Sequence, residues 1–367
     1  MNVLKKSGWL GFLGILVWAG QLWSEEIRLR ADGTGDYVTI QEAIDCCFGS
    51  NARIDRCRIS FNESGSDAGG LQACLSGVIV VDSIFEGNIS GAEGGGMYCR
   101  GPCEISHCLF VGNQSLFGGG IFLKEFSNPR FIHCTVAGNR AQFYGGGFSG
   151  LVCNPKLLGC IIWGNTAGAG AEIAVDYTST TGSEVTISYS CVGGGESGIH
   201  RKLDSIVHWG SGIITEDPLF FVRGYWDMNG TPTDLTDDYW VGGDYHLCSK
   251  KGRWGGENWI LDEFESPCID AGDAVSDWRA ELWPHGGRVN MGAYGGTAEA
   301  SMSLSPVGNV ADLNHDGMVD LFDGELFGDK WLERELLIDA DLNRDGVIDL
   351  FDWSIFVGQW LWMEEIS

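Results

Sequence analysis

Five asparagines set a period along the first half of the chain. Asn62, Asn88, Asn113, Asn139 and Asn165 follow one another at intervals of 26, 25, 26 and 26 residues. Five positions before each stands a small side chain: Cys57, Ser83, Cys108, Cys134 and Cys160. Glycine runs come after each, among them Gly94 to Gly96, Gly118 to Gly120 and Gly145 to Gly147. Short β-branched and aromatic runs fill the space between these markers. A fixed period in this range marks stacked repeats. Strand-like runs cut by Gly and Asn, with no helical segment between them, predict a parallel β-helix. Equivalent residues then stack about 4.8 Å apart on successive coils. The asparagines are expected to take left-handed turn geometry and hydrogen-bond along the stack. The cysteines are expected to form an internal column of small apolar groups.

A second, shorter repeat lies near the C-terminus. Asp312-Leu-Asn-His-Asp-Gly-Met-Val-Asp-Leu-Phe-Asp323 recurs 29 residues on as Asp341-Leu-Asn-Arg-Asp-Gly-Val-Ile-Asp-Leu-Phe-Asp352. Oxygen side chains fall at loop positions 1, 3, 5, 9 and 12, and Gly317 and Gly346 at position 6. Hard oxygen ligands around a turn that Gly makes cheaply are the pattern of a calcium loop. In the first loop Asp312, Asn314, Asp316, the carbonyl of Met318, Asp320 and Asp323 are the candidate ligands. In the second they are Asp341, Asn343, Asp345, the carbonyl of Val347, Asp349 and Asp352. Two Ca2+ ions are expected, because a flexible all-oxygen cage suits calcium better than magnesium. Four carboxylates per loop repel one another without a cation, so binding is expected to couple to folding.

Each loop runs on into a helical pattern. Phe327 and Trp331, and likewise Phe356 and Trp360, are four apart, which places each pair on one helix face. The unit is therefore loop then helix, twice, with the apolar faces packed together. This duplicated unit, over residues 309–363, resembles a type I dockerin. The resemblance implies two bound calcium ions and docking to a cohesin-like or cell-surface protein. Recognition in that family depends largely on loop positions 10 and 11. Here these are Leu321-Phe322 and Leu350-Phe351, where many members carry smaller residues. They read either as recognition surface or simply as core.

Residues Ala31 to Asp45 resemble the entry segment of pectin-lyase-like right-handed β-helices, with Thr39 and Glu42 in a capping-box pattern that predicts a short helix. Glu216 to Phe220, Gly243 to Leu247, Ser266 to Asp273 and Arg288 to Gly296 resemble the closing segment of bacterial right-handed β-helix repeat proteins. The expected organisation has three parts. Residues 1–24 form a signal peptide, from two lysines before a short apolar run. Residues 25–305 form an all-β right-handed parallel β-helix, with repeats over about 52–192 and a Trp-rich non-repetitive stretch at 199–287. Residues 309–363 form the small α-helical calcium-loop module. The mature chain is thus expected to be secreted or held at the cell surface, without a membrane span.

Charge narrows the partners. The formal net charge is −27, and residues 311–367 hold 15 acidic against 3 basic side chains. Such a surface disfavours nucleic acid and anionic membranes. Thirteen cysteines in an exported chain raise the question of disulfides. Cys99-Arg-Gly-Pro-Cys103 is a local candidate and Cys248 with Cys268 another.

No catalytic residue is nominated. The Asn-Thr-Asp, Gly-His-Gly and Arg-Ile-Lys groups that a polygalacturonase resemblance requires do not occur. The Trp-rich stretch carries Trp209, Trp226, Trp240, Trp254, Trp259, Trp278 and Trp283 beside Asp234, Asp237, Asp238, Asp262, Glu263 and Glu265. Aromatics among carboxylates suit sugar stacking or glycosidic cleavage, although Trp in such a stretch is more often packing. The leading expectation is a secreted calcium-binding β-helix protein that binds polysaccharide or serves as a surface or adhesive scaffold. The alternative is a polysaccharide lyase or glycoside hydrolase in polysaccharide catabolism.

Overall fold

Strands of two to five residues follow one another from Ala52 onward and stack coil on coil. The computed structural model describes residues 52–74, 77–124, 127–176, 182–202, 204–231, 237–305 and 307–364, with strands Ile15–Val17 and Ile27–Arg30. The expected Thr39 helix lies outside the described residues. Of the expected signal peptide only Ile15–Val17 is described, as an edge strand parallel to Leu71–Ala73. Among the described residues no helix is long and apolar enough to cross a membrane. The chain divides into two compact units, residues 1–217 with 222–244, and residues 218–221 with 245–367.

The first unit is a right-handed parallel β-solenoid of about six turns. One coil runs Cys103–Ser106, Leu109–Val111, Gln114–Phe117 and Ile121–Lys124, and the next begins at Arg130–Ile132. Each strand pairs in parallel with its equivalent one coil away, which builds four sheets along the axis. Because side chains alternate across a strand, every second residue of a strand points inward and meets its equivalents above and below. Ile54, Val80, Ile105, Phe131, Leu157 and Ile187 form one buried column in register. Ile59, Phe85, Phe110, Val136, Ile162 and Val192 form another, in which Phe85 and Phe110 stack at 4.5 Å.

The corners explain the sequence markers and correct one of them. The asparagines do not adopt the left-handed conformation. The residue before each one does: Phe61, Gly87, Gly112, Gly138 and Gly164, at φ of 55 to 68°. Non-Gly residues rarely take that region, so four of the five positions are Gly. The asparagines serve the ladder instead. Each Nδ2 donates to the next Oδ1 at 2.9 Å, from Asn62 through Asn88, Asn113 and Asn139 to Asn165. The same Oδ1 accepts the main-chain N–H of the asparagine behind it at 2.9 to 3.1 Å. Asn88, Asn113 and Asn139 are fully buried, and the ladder satisfies groups that burial would otherwise penalise. The cysteine column is buried as expected. Cys57, Cys108, Cys134 and Cys160 donate their thiols to main-chain carbonyls two residues behind.

The ladder has a chemical end. Asn165 Nδ2 donates to Glu172 Oε2 at 2.6 Å, and Gly164 N–H to Glu172 Oε1 at 2.9 Å. Burial pushes the Glu172 carboxyl up to about 7, against the lowering pull of these two donors. An Asn at this point would need a further acceptor, whereas a carboxyl group closes the chain of donors.

A hairpin of Tyr225–Asp227 and Tyr239–Val241 belongs to this unit and lies on the corner glycines. Trp240 sits over Gly112 and Gly138, where a Cβ would meet its ring at 1.9 and 2.5 Å. Trp226 Nε1 donates to the Gly138 carbonyl at 3.0 Å.

In the second unit, Arg253 is buried, donates to Asp262 at 3.1 Å and lies 3.5 Å from the Phe221 ring centroid. Two helices follow, Leu321–Asp329 and Leu350–Gly358.

Candidate metal centre

The two acidic loops fold alike and repeat one set of hydrogen bonds. Asp312 accepts from the N–H groups of Asp316 and Gly317 at 3.1 and 3.0 Å, as Asp341 does from Asp345 and Gly346 at 3.2 and 2.8 Å. Asn314 Oδ1 accepts from Asp316 N–H, and Asn343 Oδ1 from Asp345 N–H. Asp316 and Asp345 in turn accept from Met318 and Val347. Position 6 has φ of 84° at Gly317 and 85° at Gly346, a turn open to Gly at no steric cost. Position 4 also lies in the left-handed region, at His315 and Arg344.

Positions 9 and 12 double as helix caps. Asp320 and Asp349 are the N-caps, and Asp323 and Asp352 complete a capping box on each helix. Two N–H groups at the start of each helix are thereby satisfied. Asp323 and Asp352 are fully buried and also reach back to the loop starts, at Leu313 N–H and Asn343 N–H.

Burial holds Asp312 and Asp341 above the usual carboxylate range. Gly317 N–H and Gly346 N–H pull them down, while Asp323 and Asp352 push them up again. Ligand chemistry and loop register fit a hard cation. The carboxylates point onto main-chain N–H groups, however, and among the described residues no three acidic, His or Cys side chains are gathered as a metal-holding group.

The helices pack as the spacing predicts, with one correction. Phe327 and Phe356 are buried and stack at 5.4 Å, in a core with Ala311, Leu313, Val319, Ile338, Ala340, Leu342 and Ile348. Trp331 and Trp360 lie beyond the helix ends and are 39 and 41 % exposed, so they cover the core's rim rather than extend the helical face. The halves also cross-bond. Leu332 N–H reaches Ile348 O, and Leu361 N–H reaches Val319 O, so position 8 of each loop pairs with the chain leaving the other helix.

Leu321, Phe322, Leu350 and Phe351 are 66 to 77 % exposed, which settles one alternative left open by the sequence: they are not core. Single exposed apolar residues are ordinary, but four large ones at equivalent places are a surface that calls for explanation.

The Trp-rich stretch provides packing. Trp240 and Trp254 are buried, and the other five are half-buried. The Trp226 face is taken by Arg140 at 4.2 Å. Four of the carboxylates there have structural partners: Asp238 pairs with Arg140, Asp237 with Thr231, Asp262 with Arg253, and Glu265 with Lys250 N–H. Asp234 lies outside the described residues.

A family model described as "Disaggregatase related" matches residues 227–272, well under half of the chain. No curated protein and no solved structure matches.

Proposed function

We propose that this is a secreted, polysaccharide-associated β-helix protein whose duplicated acidic loops bind two calcium ions and display the Leu-Phe pairs to a protein partner. The observation that carries this reading is the agreement between the loops. Two segments 29 residues apart share ligand-type side chains, hydrogen bonds, a positive φ at position 6 and an exposed apolar pair just past position 9. Two solvated acidic turns have no reason to agree so far.

Calcium has a definite task in this account. It replaces main-chain N–H groups as the partner of carboxylates that are buried beside one another, and so relieves their repulsion. With the loops tightened, the N-terminal turns of both helices are fixed, and with them Leu321, Phe322, Leu350 and Phe351. Their chemistry suits an apolar surface on a cohesin-like or cell-surface protein, and the docked β-helix would be held against polysaccharide.

Calorimetric titration of the full chain with calcium tests the reading. Two ions should bind per chain, and Asp312→Ala with Asp341→Ala should abolish both events. Absence of binding to the parent chain would sink the proposal. The catabolic alternative is tested by incubating the chain with a panel of polysaccharides. Release of reducing ends or unsaturated products would favour an enzyme, and binding without product favours the scaffold reading.

A further inference from the structure

The cysteines of the solenoid fall into two geometries. In the column at 57, 108, 134 and 160, equivalent residues are held a full coil apart, about 4.8 Å. With side chains in register their Cβ atoms keep about that spacing, beyond the roughly 3.5–4.5 Å that disulfides span. Their thiols are turned onto main-chain carbonyls at 3.1 to 3.5 Å.

Cys99 and Cys103 differ. Both are buried, on either side of one corner, at the end of strand Met97–Cys99 and the start of strand Cys103–Ser106. The turn between them is Arg100-Gly101-Pro102, with Gly101 at φ 136°. Their Sγ atoms stand 2.9 Å apart. That is closer than the ~3.5–4.0 Å at which even two carbon atoms rest, and sulfur is the larger atom. The corner therefore brings two buried thiols inside their normal contact distance, nearer to each other than Cys99 Sγ is to the Gly101 carbonyl at 3.4 Å.

We propose that Cys99 and Cys103 are a disulfide-forming pair, closing a ring of five residues across this corner, while the column thiols stay reduced. The oxidant is a dissolved disulfide of the glutathione class. The Cys103 thiolate attacks one sulfur of that disulfide and one thiolate leaves. The Cys99 thiolate then attacks the Cys103 sulfur of the mixed disulfide and releases the second thiolate. Two protein thiols and one external disulfide become one protein disulfide and two external thiols, so atoms and electrons balance. The hydrogen bond with Cys103 and burial together raise the Cys99 thiol, which slows attack in the folded chain. The bond therefore forms while the corner is still open, during folding. Cys74, half-buried and within electrostatic reach of both, is the neighbouring thiol through which exchange would proceed.

The test uses the full chain refolded in a buffer of reduced and oxidised glutathione, then acid-quenched, denatured and treated with N-ethylmaleimide before digestion and mass spectrometry. The expected result is a peptide spanning 99–103 two hydrogens lighter and unlabelled, with Cys57, Cys108, Cys134 and Cys160 labelled. In Cys103→Ser, Cys99 should become labelled or carry glutathione. Label on both Cys99 and Cys103 in the parent chain overturns the proposal, and so does linkage of either to another cysteine.

Discussion

The asparagine ladder and the acidic loops are both built from repeated polar side chains, yet they solve burial in different ways. In the ladder the side-chain donors meet acceptors on the coils to either side, and the chain of amides is uncharged until Glu172. In the loops the repeated groups are carboxylates, which only accept. They exhaust the local N–H groups and still leave Asp312 facing Asp323, and Asp341 facing Asp352, as like charges. A solenoid supplies its own partners, whereas the duplicated acidic loop, on the reading proposed above, takes its partner from a bound cation.

The largest effect expected from breaking this contrast lies in the middle of the ladder. Asn113→Ala removes the acceptor of Asn88 N–H and Nδ2, and the donor to Phe85 O and Asn139 Oδ1. Several buried groups lose partners at once, so the cost should be ~3–5 kcal/mol in thermal or denaturant unfolding. Asn62→Ala, at the partly exposed start of the ladder, should cost about 1 kcal/mol.

Next in size is calcium. At a calcium concentration a hundredfold above the dissociation constant, binding should stabilise the loop module by about 2.7 kcal/mol per site. Differential scanning calorimetry with calcium and with chelator reads this, and Asp312→Ala with Asp341→Ala should remove the difference.

The ladder's end gives a pH signature. The folded-state value of Glu172, about 7, lies above its ordinary value of 4.5. Its protonated form is therefore favoured by folding. The associated stability is full below about pH 4.5 and is lost as pH rises through about 7. Glu281 is pushed the same way, up to about 8, so the parent chain alone does not isolate Glu172. The difference between the parent and Glu172→Gln does. The variant should be less stable by about 1 kcal/mol at pH 5, through one lost hydrogen bond, and by pH 8 the order should reverse, with the variant the more stable. A gap that stays constant between these pH values would contradict the assignment.

The smallest effect is expected at the exposed pairs. Phe322→Ser and Phe351→Ser should change stability by no more than about 0.5 kcal/mol, while abolishing capture of a partner that requires calcium.

Legibility followed the same contrast. The period of 26 exposed the solenoid because equivalent residues touch, so one coil's sequence states what the next must contain. The inward columns, the ladder and the buried cysteines were all readable in this way. The conformational role assigned to Asn was not. A repeated Gly-Asn pair does not say which member takes positive φ, and Gly87, Gly112, Gly138 and Gly164 take it here. Glu172 was invisible because it ends a pattern and so has no equivalent. Arg140 under Trp226 was equally hidden, since their contact spans residues with no shared period. In the loops, spacing yielded the ligand types and the helix starts. It could not yield the exposure of Leu321, Phe322, Leu350 and Phe351, because apolar residues at a helix N-terminus look alike whether they face core or solvent.

Hydrogen exchange followed by mass spectrometry, with and without calcium, tests the central contrast most directly. Amides over residues 312–323 and 341–352 should gain protection on calcium addition, while those over 78–165 remain unchanged. Loops indifferent to calcium, or a solenoid that responds as strongly as they do, would contradict the account.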